Sequence, residues 1–111
     1  MTNTEFSLTE RLSAAAGKIT LSGAQALVRV PVDQHRADTA HGLSTATLIA
    51  GYRGSPLAGI ESIVSQHQRI LDGANVSFIS GVNEDLAATM IWGAQMAELD
   101  ASKRYDGVLG M

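Results

Sequence analysis

Apolar residues in this chain fall in short runs divided by turn signals, and the runs alternate between two periods. Ala24, Leu27, Val28, Val30 and Val32, followed by the wet stretch "DQHRAD", predict a surface helix over 24–39. Pro31 lies inside it and should kink or divide it, and Gly42 is a natural stop. Thr45 to Ala50 is a short, mostly apolar run of the kind found in a buried parallel strand. Gly51 to Ser55 reads as a loop, after which Pro56 suits the first position of a helix with Ser55 as its N-cap. Leu57, Ile60, Ile63, Val64, Ile70 and Leu71 follow helical spacing until Gly73 ends the run. "NVSFIS" predicts a second strand, Asn83 to Leu99 a further helix, and "YDGVLGM" a third strand. Upstream, a polar, Ala/Gly-rich start holds a short helix from Leu8 to Ala16, and "KITLSG" reads as a brief extended piece.

Strands alternating with helices predict an α/β fold with a parallel sheet, joined by right-handed crossovers. In such sheets function gathers at the C-terminal ends of the strands. Two such ends are present, "GYRGSP" and "SGVNED", which set Ser55 and Glu84 one crossover unit apart. If the two strands are neighbours, about 4.8 Å apart, their loops share one rim of the sheet.

Composition narrows the function classes. The chain has 111 residues, enough for one domain or a piece of one, and its 45% hydrophobic and 17% charged residues place it among globular proteins. A net charge of −3 leaves no footprint for nucleic acid or an anionic membrane. Without cysteine, these residues offer no disulfide, thiolate zinc site or iron–sulfur ligand. The opening "MTNTEFSLTERL" is not a secretory signal, and no apolar run reaches the roughly 18 residues of a membrane span, so the expected compartment is the cytoplasm.

The helix over 83–99 is unusual. After Asp85 no charge appears until Glu98, and Leu86, Met90, Ile91, Trp92 and Met96 cover most of its circumference. A helix apolar all round is buried on most sides. A few strands and helices cannot easily enclose it, so it is expected to pack on protein outside these 111 residues, as the abrupt end at Met111 also suggests. The alternative is a central helix of a compact small domain.

Glu84 and Asp85 have an ordinary explanation: Asn83 is a good N-cap, and acids in the first turn complement the helix dipole by about 0.3–1 kcal/mol. Here, however, they lead a helix expected to be buried. A desolvated carboxyl there should have its pKa raised and need a hydrogen-bonding partner, as proton exchange with a ligand ring nitrogen would require. "GYRGSP" lacks the phosphate-loop patterns, yet its amides and Arg53 could hold an anion; the plainer reading is a tight strand-to-helix turn. Ser55 has no His/Asp partner at recognisable spacing, which argues against a serine nucleophile. His35, His41 and His67 sit in polar contexts without metal spacing, and "DASKRYD" is most simply a solvated loop. Trp92 and Met96 read as core residues more readily than as cofactor contacts.

The blocks "GYRGSPLAGIE", "GVNEDLAATMIWGAQ" and "YDGVLGM", with "LSGAQALVRVPVDQHRADTAHGLSTATLIAGYRGSPL" before them, resemble the N-terminal region of the fused indolepyruvate ferredoxin oxidoreductases. These are thiamine diphosphate-dependent 2-oxoacid:ferredoxin oxidoreductases. The resemblance covers residues 20–111, with residues 1–19 as an N-terminal polar segment; Ala58 and Glu61 stand where the family pattern expects Gly and Asp. It implies an incomplete parallel-sheet pyrimidine-binding domain of the thiamine diphosphate fold. In such domains a glutamate hydrogen-bonds N1′ of the aminopyrimidine, so that its 4′-nitrogen can take the thiazolium proton. Glu84 matches that glutamate, as both catalytic and cofactor-binding residue, and Asp85 then only complements the helix end. Ser55 matches by position a substrate-proximal Thr of the related pyruvate enzymes. Arg53, from its charge alone, is a candidate partner for the 2-oxo acid carboxylate.

In the complete enzyme the resemblance implies oxidative decarboxylation of an aryl 2-oxo acid, acyl transfer to coenzyme A and electrons passed to ferredoxin. The "GDG" motif that holds diphosphate and magnesium is absent from these residues, as are iron–sulfur cysteines. Both groups are therefore expected elsewhere in a dimeric enzyme, with the diphosphate-binding domain packed on the 83–99 helix and these residues inactive alone. The alternative from a different class is a non-catalytic α/β interaction module that binds a partner through its apolar helix.

Overall fold

Ser22 starts the longest helix by a reciprocal pair of bonds: its Oγ accepts from Gln25 N at 3.2 Å and its own N–H donates to Gln25 Oε1 at 2.9 Å. This capping box satisfies two of the amides that every helix start leaves without an intrahelical partner. The computed structural model describes residues 9–55, 57 and 59–111. Its elements are α1 (Glu10–Ser13), α2 (Gly23–Ala40), β1 (Thr45–Gly51), α3 (Gly59–Gln66), α4 (Gln68–Gly73), β2 (Val76–Ser80), α5 (Glu84–Met96), a short 3-10 turn (Ala97–Leu99) and β3 (Gly107–Gly110).

Most expected elements are present, with instructive differences. Pro31 does not divide α2, which runs unbroken past it. The proline costs one backbone bond but is itself fully buried, and that packing offsets the loss. Gly42 adopts φ 77 just beyond the end of α2, a conformation that glycine enters without a Cβ clash. The predicted helix from Leu57 to Leu71 is broken at His67, whose φ of −120 and ψ of 23 separate α3 from α4. "KITLSG" forms no strand. The short N-terminal helix is four residues long; Leu8, its expected start, lies outside the described residues, as does Pro56. The polar N-terminal segment nevertheless reaches the core: Leu12 is fully buried, and Arg29 of α2 donates to Arg11 O at 2.8 Å and to Ala14 O.

The sheet has the order β2-β1-β3, and both pairs are parallel. Gly51 pairs with Ser80, and Leu48 pairs with both Ser77 and Gly110. Ile49 points to one face, where Leu12, Val28, Val32, Val64, Leu71, Ala74 and Val76 form a single core beneath α2, α3 and α4. Leu48 and Gly110 belong to the opposite face, because side chains alternate along a strand. There α5 crosses β1 and β3, with Ile91 against Gly110.

Burial of α5 differs from expectation. Ala87 is its one buried residue, while Trp92 is 66% exposed and Leu86 and Met96 are nearly half exposed. Trp92, Met96 and Leu99 recur at helical intervals and share the outer face. The sheet takes only one side of the helix, and no described element lies over the other. Among the described residues no helix is long and apolar enough to cross a membrane.

Candidate functional site

The loops that follow β1 and β2 stand side by side because their strands are neighbours in register. Gly81 N donates to Gly51 O, tying the two loops together at the rim. Gly81 is tightly surrounded: a Cβ there would lie 3.4 Å from Ala87 Cβ, Gly51 O and Met90 Cε. Beyond it, Asn83 Oδ1 accepts from Leu86 N at 2.9 Å and starts α5, which sets Glu84 and Asp85 in the first turn. The expected composite rim is therefore formed.

A cavity of about 380 Å³ opens between these loops. Ile49, Phe78, Ala87 and Met111 give it apolar walls, and Tyr52, Ser55 and Glu84 contribute polar groups. Tyr52 Oη donates a hydrogen bond to Glu84 Oε1, joining the end of β1 to the start of α5. The Tyr52 hydroxyl and, after it, the residue's own backbone amide hold the Glu84 carboxyl below the usual glutamate range, against a smaller opposing effect of desolvation. The same bond raises the Tyr52 phenol, with burial and the carboxylate charge adding to it.

Two expectations for Glu84 are thus corrected. Its side chain is exposed rather than shielded from water, and its pKa is lowered rather than raised. The reason is geometric. Glu84 is the first residue of α5, at the open ends of the strands, where water reaches it and a phenol supplies a donor; desolvation is the weaker influence.

Ser55 joins Glu84 in the cavity, and its Oγ accepts from Leu57 N at 3.2 Å, so the hydroxyl can still donate. Helix α3 starts at Gly59, so Ser55 serves a local turn at Leu57 rather than capping the helix directly. Arg53 does not line the cavity. It is 88% exposed, with Nε 3.7 Å from Oε2 of Glu61, a residue that does line it. Asp85 is exposed and also lies outside the lining.

The residue missed by sequence reasoning is Tyr52. It belongs to "GYRGSP", and its signal is a phenol immediately after a strand, on the rim where sites form. His35 Nδ1 lies 3.2 Å from Thr45 O, joining α2 to the start of β1, and His41 Nδ1 lies 2.8 Å from Ala37 O, one helical turn back. Among the described residues no group of three or more His, Asp or Glu is arranged to hold a metal. No protein-family model, curated protein or solved structure matches the chain.

Proposed function

We propose that this chain is the pyrimidine-binding part of a thiamine diphosphate-dependent 2-oxoacid:ferredoxin oxidoreductase of the indolepyruvate type. The observation that supports it best is a carboxylate, Glu84, held by Tyr52 at the mouth of an apolar cavity on the C-terminal rim of two neighbouring parallel strands. The residues suit the cofactor's pyrimidine end. At about 380 Å³ the cavity lies within the range of small-molecule sites, and Ile49, Phe78 and Met111 offer apolar surface to a ring. Bound there, thiamine diphosphate would supply the carbanion-stabilising chemistry that decarboxylation needs.

The chain's own contribution is contact and orientation. Glu84 accepts a hydrogen bond from a ring nitrogen, and Ser55, which lines the same cavity, contacts the substrate. Arg53 can meet a substrate carboxylate only by leaving Glu61, a small cost for an exposed pair. Diphosphate, magnesium and iron–sulfur centres are held outside these residues, and a diphosphate-binding domain covers the apolar face of α5. A cytoplasmic dimeric enzyme with coenzyme A and ferredoxin as partners follows from the same reading.

The test is Glu84→Gln in the complete enzyme, with 2-oxo acid-dependent ferredoxin reduction as readout. Loss of about 10²–10⁴-fold is expected for a group that exchanges a proton with the reacting system. Near-normal activity would remove Glu84 from its role. Tight binding of thiamine diphosphate by the purified chain alone would refute its dependence on a second domain.

The exposed face of Trp92, Met96 and Leu99 favours one further reading, a non-catalytic module that binds a partner through α5. In that case Glu84→Gln would leave the assembly's function intact, while a charged residue at Trp92 would abolish partner binding.

A further inference from the structure

A glutamate in the first turn of a helix, exposed to water, has several rotamers of similar energy and no fixed direction. Glu84 differs from this default because a second element holds it. Tyr52 follows directly on β1, its backbone position is fixed by the Gly81–Gly51 bond beside it, and a phenol has only two rotatable side-chain bonds. Its hydroxyl meets one carboxylate oxygen, and both side chains line the same cavity. An ionised carboxylate accepts about four hydrogen bonds, so with the phenol and its own backbone amide bound it still has capacity open.

We propose that Tyr52 is the positioning residue of this site: by donating to Glu84 Oε1 it keeps the carboxylate turned to the cavity, with its remaining lone pairs available to a ligand that presents an N–H group. The role rests on Glu84 as the ligand contact of the proposed function. The lowered Glu84 carboxyl and raised Tyr52 phenol agree with the geometry, since the bond stabilises the charged acid and the neutral phenol together.

The surrounding groups are few. Among the described residues that line the cavity, Tyr52, Glu61 and Glu84 titrate. Glu61 comes from α3 and pairs with Arg53 outside the cavity, and Asp85 adjoins Glu84 on α5 without lining it. A tyrosine that only packed against the rim, without donating to Glu84, would affect stability but not the titration of Glu84.

The experiment is a carbon-13 NMR titration of side-chain carboxyl and phenol carbons in the 111-residue chain and in its Tyr52→Phe and Glu84→Gln variants. Tyr52→Phe should move the Glu84 midpoint upward toward the ordinary glutamate value. Glu84→Gln should move the Tyr52 midpoint downward toward that of a free phenol. An unmoved Glu84 midpoint in Tyr52→Phe overturns the proposal, even if that variant is less stable. Should Tyr52→Phe fail to fold, the Glu84→Gln arm decides, and an unmoved Tyr52 midpoint overturns it. No cofactor enters the titration, so its outcome is separable from the activity assay on which the proposed function stands or falls.

Discussion

Gly110 lies so close beneath Ile91 that a Cβ on it would come within 2.5 Å of Ile91 Cγ2. That contact sets how near α5 approaches the sheet. The methyl belongs to a β-branched side chain, which cannot swing aside as a long flexible one could. Gly110→Ala should therefore lower stability by about 1–3 kcal/mol, the usual cost of an extra carbon in a filled space. Adding Ile91→Ala should recover part of that loss, so the double variant is less destabilised than the sum of the two single ones. Urea denaturation of all four proteins checks this.

Removal of the α5 N-cap gives a second expectation. Asn83 Oδ1 is the acceptor for Leu86 N, so Asn83→Ala should cost about 1 kcal/mol and loosen the turn that carries Glu84. Asp85→Asn removes only a charge from the first turn and should be the milder change. Thermal unfolding ranks the two, and, on the proposed function, Asp85→Asn should leave most activity in place.

Acid sensitivity follows from Asp38. Thr45 Oγ1 donates to its Oδ2 and Gln34 Nε2 to its Oδ1, both at 2.7 Å. Thr45 is the larger cause of a carboxyl pKa below the ordinary 3.8, with Gln34 next and burial opposing; His35 and His41 add small lowering effects. With a depressed folded-state pKa, the unfolded chain binds more protons between the two values. The stabilisation is thus present above the ordinary aspartate value and lost as pH falls through the depressed one. Thr45→Val should reduce stability near neutrality and converge on the parent in strongly acidic solution. Urea midpoints measured across the acid range decide it, and a gap that stays constant with pH would contradict the Asp38 linkage.

Trp92, the single tryptophan, is 66% exposed on the outer face of α5. Its emission should be red-shifted and readily quenched by iodide, and Trp92→Gln should change the chain's stability by no more than about 0.5 kcal/mol. On the proposed function, joining the chain to a diphosphate-binding domain should shift that emission to the blue and protect it from iodide. Unchanged quenching in a functional assembly would show that this face is not the contact.

The elements were legible where the signal is local. The run Thr45–Ala50, the strand "NVSFIS" and the cap at Asn83 occur close to where their periods and turn residues put them, because each depends on neighbours a few positions away. Pro31 leaves α2 undivided: the local rule counts the lost backbone bond but not the burial of the proline ring. The break at His67 was missed for a similar reason, since apolar spacing continues across it. The site was legible in part: Glu84 and Ser55 share a cavity as expected, while Arg53 turns outward to Glu61.

What the sequence by itself determined is the alternation of strands and helices and the position of an acid at the start of α5, since periodicity, caps and glycine stops act over a few residues. Tertiary structure alone decided that β1 lies between β2 and β3 and that Tyr52 meets Glu84 across a separation of 32 residues. That meeting reverses the expected direction of the Glu84 pKa, because a hydrogen bond from a distant strand end outweighs the desolvation that the sequence pattern had suggested.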